Sequence, residues 1–394
     1  MTVENNTVTA GQNHRKDRVT RDSGIELLKI LAIFLIVVSH VIQTLYLPNT
    51  YISYQDYVID LSHATRNWQQ LAVTMLRVGR LGNLLFIVSS SWFMLDSTRS
   101  NKRKVLQIIA DIWIISVSIF VIIFILRDGQ MGEIMILKQF FPTSFGNNWY
   151  MTCYLIFCFV YPFFNIILSH LNQKTLLRIC FFLFALYFGI NFFMGQLFAD
   201  GELFFYSHII LWVTIYFIIA YVKYYIPNSM YSPRVNLFLL VIGIGGHCTI
   251  ILITNFLGLE IEFFENKLMV WHANSSPFLL AIAIALFNFA RNMRFRNRTI
   301  NHISGLSYLI YIFHENILLR TYYRPMLWNY IHEAYGYDHL LLWTLVLSII
   351  VFVFGLFCAY FYEQTVQRVV WRICDYGYPY IVRTWNKIEN MILK

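Results

Sequence analysis

The chain has 394 residues, of which 58% are hydrophobic and 13% charged, with a net charge of +9. A soluble domain carries about 25% charged residues, so roughly half of the usual solvated surface is missing and a soluble fold is excluded. The positive balance does not indicate nucleic acid, because the basic residues stand in short clusters between apolar segments and form no single basic face. Six cysteines (Cys153, Cys158, Cys180, Cys248, Cys358 and Cys374) lie in or just beyond apolar segments. No pair has metal-ligand spacing, so they read as small apolar residues without disulfides, and no metal is expected.

Residues 1–22 are polar and predict a disordered cytoplasmic tail. The first apolar run begins late and lacks a small-residue cleavage site, so no signal peptide is expected. A membrane span needs about 20 mainly apolar residues. In chain order the candidates are 25–46, 71–95, 105–126, 149–168, 176–198, 203–226, 235–258, 268–290, 300–320 and 340–363. Residues 366–394 mix aromatic and basic side chains and predict an amphipathic segment on the inner membrane surface.

Lys and Arg set the orientation. Arg15, Lys16, Arg18 and Arg21 precede the first span; Lys102, Arg103 and Lys104 precede the third; Arg291, Arg294, Arg296 and Arg298 precede the ninth. The opposite loops hold only scattered bases and gather acids, among them Asp56, Asp60, Glu202, Glu260 and Glu262. Ten spans put every basic cluster on one side. The expected fold is an all-α, polytopic membrane helix bundle with both termini cytoplasmic.

Ionisable residues inside a span cost at least a few kcal/mol, which makes each one a functional candidate. The first span holds Glu26, Lys29 and His40. Lys29 and His40 are eleven residues apart, roughly 16 Å along a helix and on nearly the same face. Lys29 belongs near the cytoplasmic entrance and His40 in the outer half. Arg77 and Arg80, three apart in the second span, are expected to share a helical face. His314, Glu315 and Asn316 reach a similar depth, as do His272, Asn274, Ser275 and Ser276 of WHANSSP; Asn147, Asn148, Trp149 and Tyr150 open the fourth span. Blander readings exist for several. A membrane histidine can simply bond a neighbouring helix, Lys29 can snorkel, and Trp149 and Tyr150 suit an interfacial belt. His247 reads as a satisfied polar residue. The agreement in depth across separate helices favours a shared site.

These residues resemble the motifs of acyltransferase family 3, the membrane proteins typified by bacterial surface-polysaccharide O-acyltransferases. GIELLKILAIFLIVVSH matches the family's acid, base and following histidine at Glu26, Lys29 and His40. The paired arginines match Arg77 and Arg80, FIVSSSWFM matches a Phe-x-x-Ser-Gly-aromatic stretch, and SGLSYLIYIFH supplies Ser307, Tyr308, Tyr311 and His314. Glu363 matches a closing glutamate. Lys29 replaces an arginine, Glu26 an aspartate and Ser91 a glycine, the last touching close packing of the second span. The resemblance implies a transmembrane acyltransferase domain over residues 23–365 in the plasma membrane. It would move an acyl group, usually acetyl from acetyl-CoA, to a hydroxyl of a cell-surface or lipid-linked glycan.

On that basis His40 is expected to be the general base, or a transient acyl carrier, with His314 as second candidate. Arg77 and Arg80 would stabilise the oxyanion. Lys29 and Glu26 would serve the donor, while Trp149, Tyr150, His272, Ser275 and Tyr311 would face substrate. A cytoplasmic donor and a site in the outer half require either a narrow channel or a staged transfer. A glycan transporter or flippase is the competing expectation, although no paired internal repeats are visible.

Overall fold

The computed structural model describes residues 23–46, 59–97, 101–129, 131–144, 148–198, 208–227, 232–336 and 338–392. The N-terminal tail, Asn147, Asp56 and Glu202 lie outside them. The described residues form helices and no strand: an all-α, polytopic bundle.

The first helix, α1 (Ser23–Tyr46), is its axis. Its start is pinned by Ser23, which donates to Asn301 Oδ1 at 2.7 Å and accepts from the Asn297 amide at 2.7 Å. Around it stand α2 (Trp68–Met75), α3 (Gly79–Met94), α4 (Lys102–Leu126), α5 (Glu133–Phe140) and α6 (Trp149–His170). Next come α7 (Gln173–Phe184, continuing as a π-helix through Gly195), α8 (His208–Tyr225), α9 (Pro233–Gly258) and α10 (Pro277–Asn292). The chain ends with α11 (Arg298–Gly305), α12 (Ser307–His314), α13 (Arg324–Tyr335), α14 (Leu340–Tyr362) and α15 (Arg368–Ile392). Helix α1 packs on α3, α10, α11, α12 and α14, and Ala32, Val37, Val41 and Ile42 along it are fully buried.

Small residues permit the closest of these contacts. A Cβ on Gly79 would strike Ser39, and one on Gly82 would strike the Ala32 carbonyl and Ile36, all on α1. Gly82→Ala is therefore expected to destabilise by about 1–3 kcal/mol through overpacking, outweighing the roughly 1 kcal/mol that alanine gains in helix propensity. Thermal unfolding of detergent-purified protein checks this, and an unchanged midpoint would refute the close contact.

Eight helical runs in the described residues are long and apolar enough to cross a membrane, and they fall on the first seven expected spans and the last. Three expectations need correction. The second span is not one helix: it breaks at Leu76–Val78 between α2 and α3. The eighth starts at Pro277 instead of residue 268. Ser276 caps α10 by accepting from the Leu279 amide at 3.3 Å, and Pro277 fits the first helical turn because it has no amide to lose. Residues 272–276 are thus a buried non-helical lead-in. The ninth is split at Leu306 into α11 and α12, which ends at His314.

At the other end of the bundle α14 passes through a π-helical turn, Glu363–Gln367, into α15, which packs on α4. Asp375 of α15 accepts from Arg103 at 2.5 Å and from Gln107 at 3.0 Å. Deeper in α4, fully buried Asp111 accepts from Tyr308 (2.8 Å), Tyr362 (2.9 Å), Gln367 (2.9 Å) and Trp371 (3.0 Å).

Candidate active site

Two cavities lie end to end along α1. The first, about 690 Å³, opens beside the start of α1 and is lined by Glu26, Lys29, Lys104, Tyr150, Tyr308 and Trp371 among others. The second, about 330 Å³, lies beside the later turns of α1 and takes in His40, Arg77, Arg80, Trp149, His272 and Glu315. Ile36 and Tyr311 belong to the walls of both. Ile36 is one helical turn before His40 and about two after Lys29, so the two spaces adjoin within one helix length.

His40 is held by its Nδ1, which sits 3.0 Å from His314 Nε2 and 2.9 Å from Glu315 Oε2. His314 Nδ1 lies 2.7 Å from the Ile310 carbonyl. A carbonyl only accepts, so His314 Nδ1 carries its proton, and its Nε2 is the acceptor in the neutral ring. His40 Nδ1–H must then be the donor, shared between His314 and Glu315. That tautomer leaves the lone pair of neutral His40 on Nε2, the nitrogen required of a base.

Glu315 is itself clamped. Arg320 donates to its Oε1 at 2.7 Å and Arg324 to its Oε2 at 3.4 Å. Arg324 also donates to the backbone carbonyls of His40, at 3.1 Å, and of His314. One buried guanidinium thereby ties α1 to the end of α12. Helix α12 stops at His314, which puts Glu315 and Asn316 in a non-helical corner; Asn316 donates to Gln139 of α5 at 3.2 Å.

Arg77 and Arg80 reach the second cavity by a route that i, i+3 spacing did not foresee. Arg77 lies in the break between α2 and α3 and Arg80 in the first turn of α3. The break frees Arg77 from helical geometry, and Nη1 approaches Met269 Sδ at 3.3 Å. The Arg80 guanidinium lies 5.6 Å from the Trp149 ring centroid. With Lys138 and Arg320, four cationic side chains line this cavity against one carboxylate, Glu315.

Most of the remaining residues singled out from the sequence also fall on these walls. Trp149 and His272 line the second cavity, Tyr150 the first, and Tyr311 both. Ser275 lines neither; it is buried in the lead-in to α10 beside His272 in sequence. Lys29 donates to Glu26 Oε1 at 3.0 Å while Ser304 donates to Glu26 Oε2, so Glu26 positions Lys29 instead of presenting a charge to the cavity. His314 stands behind His40 and outside the cavity lining. His247, read as satisfied, has no hydrogen-bond partner on either ring nitrogen among the described residues and packs edge-to-face on His272 at 5.1 Å.

His40, His314 and Glu315 offer ligand atoms within 4.8 Å of one another, close enough for a cation. Two arginines already occupy Glu315, and their charge opposes a metal there. The arrangement is better suited to orienting a proton. Sequence reasoning placed Glu315 in the shared polar layer without giving it a role, and passed over Arg320, Arg324 and Lys138 as site residues. Glu315, beside His314 at the end of an apolar run, was the available signal; Arg324 and Lys138 look like ordinary loop bases.

No curated protein and no solved structure matches the chain. A family model described as "Acyltransferase domain" matches residues 22–363, which takes in both cavities apart from the contribution of Gln367 and Trp371. The chain belongs to acyltransferase family 3 and is an acyltransferase of the membrane type.

Proposed function

We propose that the protein transfers acetyl from acetyl-CoA, entering on the cytoplasmic side through the larger cavity, to a hydroxyl of a cell-surface or lipid-linked glycan in the smaller one. The observation that carries this reading is the shared wall at Ile36 and Tyr311. In this reading a slender thioester arm entering beside Lys29 passes these two side chains to reach His40, without a staged transfer. The plasma membrane is the location that such an acceptor requires.

In the reaction, His40 Nε2 takes the proton of the glycan hydroxyl as its oxygen attacks the thioester carbonyl. Glu315 and His314 hold the opposite nitrogen and stabilise the imidazolium. The carbonyl oxygen becomes an oxyanion beside Arg77 and Arg80. Collapse breaks the C–S bond, and the proton passes to the departing thiolate, leaving an acetyl ester and CoA. His314 serves as the positioning residue. Trp149, His272 and Tyr311 shape the acceptor side and Tyr150 the donor side, while the four cations of the smaller cavity favour the anionic transition state.

Loss of either arginine is expected to lower transfer by roughly 10²–10³-fold, the usual effect of removing one oxyanion donor. Label transferred from acetyl-CoA by membranes containing Arg77→Ala or Arg80→Ala protein at matched abundance measures this. Wild-type rates in both variants would defeat the proposed chemistry.

A further inference from the structure

Gln367 and Trp371 lie past residue 363, where the family match ends, yet both line the larger cavity. Trp371 is not a loose surface aromatic. Its indole N–H donates to Asp111 at 3.0 Å, which fixes the ring's position against the cavity. The Lys104 ammonium lies 3.7 Å from that ring's centroid and 5.8 Å from that of Tyr308. Gln367 donates to Tyr308 at 2.5 Å and to Asp111 at 2.9 Å. One buried carboxylate on α4 thus gathers donors from α12, α14, the π-helical turn and α15 into a single wall.

The wall's chemistry is that of a nucleotide seat. An immobilised indole offers the face that Lys104 does not cover to a planar base, and the ammonium over the ring offers charge to a phosphate. The 690 Å³ of this cavity exceeds what a thioester arm alone requires. Resting on the acyl-CoA reading above, we infer that Trp371 and Lys104 seat the nucleotide portion of the donor and that Asp111 is the positioning residue holding Trp371 in place. The segment after the matched family domain thereby completes the donor site, and Lys29 is left to the arm nearer Ile36.

The test compares acetyl-CoA with S-acetylpantetheine, which carries the same thioester and arm without the nucleotide, using the full-length protein in membranes. Trp371→Ala and Lys104→Ala are each expected to lower the ratio of kcat/KM for acetyl-CoA over S-acetylpantetheine by tenfold or more. Trp371→Phe should keep most of the ratio, since it retains an aromatic face. Asp111→Asn should lower it, because the wall loses its charged acceptor. Binding of labelled adenosine 3′,5′-bisphosphate should weaken in parallel. A damaged fold would depress both donors together and leave the ratio intact, so an unchanged ratio in Trp371→Ala and Lys104→Ala overturns the seat while leaving the acyl-CoA reading standing. Failure of the wild type to use either donor overturns both.

Discussion

Replacing His40 with alanine is expected to lower acyl transfer by roughly 10²–10⁴-fold, the range that a positioned general base supplies. The expectation rests on hydrogen-bond logic more than on position alone. His314 Nδ1 donates to the Ile310 carbonyl, so His314 Nε2 accepts from His40 Nδ1 at 3.0 Å, and the basic lone pair of His40 falls on Nε2. His314→Ala removes one of two acceptors for His40 Nδ1–H and leaves Glu315, so a smaller loss is expected there. Rates with labelled acetyl-CoA at matched protein abundance separate the two. A larger loss at His314 than at His40 would reverse the assignment and make His314 the base.

Glu315→Gln is expected to be the most damaging change to the fold. Glu315 and Arg324 are both only 4% exposed, and Glu315 also takes Arg320 at 2.7 Å and His40 at 2.9 Å. Glutamine keeps the shape and removes the charge, which leaves the Arg324 guanidinium buried without a counter-ion. Breaking a buried pair in this way costs about 3–5 kcal/mol, a large share of the 5–15 kcal/mol that typically stabilises a folded protein. The unfolding midpoint of detergent-purified protein should fall accordingly, with transfer lost as well. Adding Arg324→Met removes the stranded charge, so the double variant should regain part of the stability. It should not regain transfer, since His40 still lacks its carboxylate. Equal midpoints for wild type and Glu315→Gln would show that the clamp contributes nothing.

The parts of this site that were legible in the sequence share one physical signal. His40, Arg77, Arg80 and His314 are ionisable side chains in stretches otherwise apolar enough to enter a membrane, and their depths followed from a rise of 1.5 Å per residue. Helix interruptions were not legible in the same way. Nothing at Leu76–Val78 resembles a breaker, and the helix gives way there while Gly79 and Gly82 press α3 onto α1. That contact is tertiary, and apolar periodicity does not reveal it. Pro277, by contrast, did mark where α10 begins, but the apolar run Leu268–Trp271 ahead of HANSSP concealed the boundary.

Two further residues show why partners are harder to read than candidates. Asp111 stands alone in the third apolar run, which is signal enough, but the groups that satisfy it are at positions 308, 362, 367 and 371. No spacing rule links residue 111 to them; only the packing of α4 against α12, α14 and α15 does. Arg324 follows the ninth expected span and looks like a loop base. A π-helical turn at Leu319–Tyr323 returns the chain to the core, and the guanidinium ends on the carbonyls of His40 and His314.

The central claim is that a donor confined to the Lys29 side reaches a glycan activated at His40. Inverted membrane vesicles expose the cytoplasmic face to added labelled acetyl-CoA, which does not cross the bilayer, and enclose the cell's own glycan acceptors. The account predicts that wild-type vesicles place label on the enclosed glycan, and that His40→Ala vesicles with equal protein do not. Equal labelling by both, or none by the wild type, would contradict it.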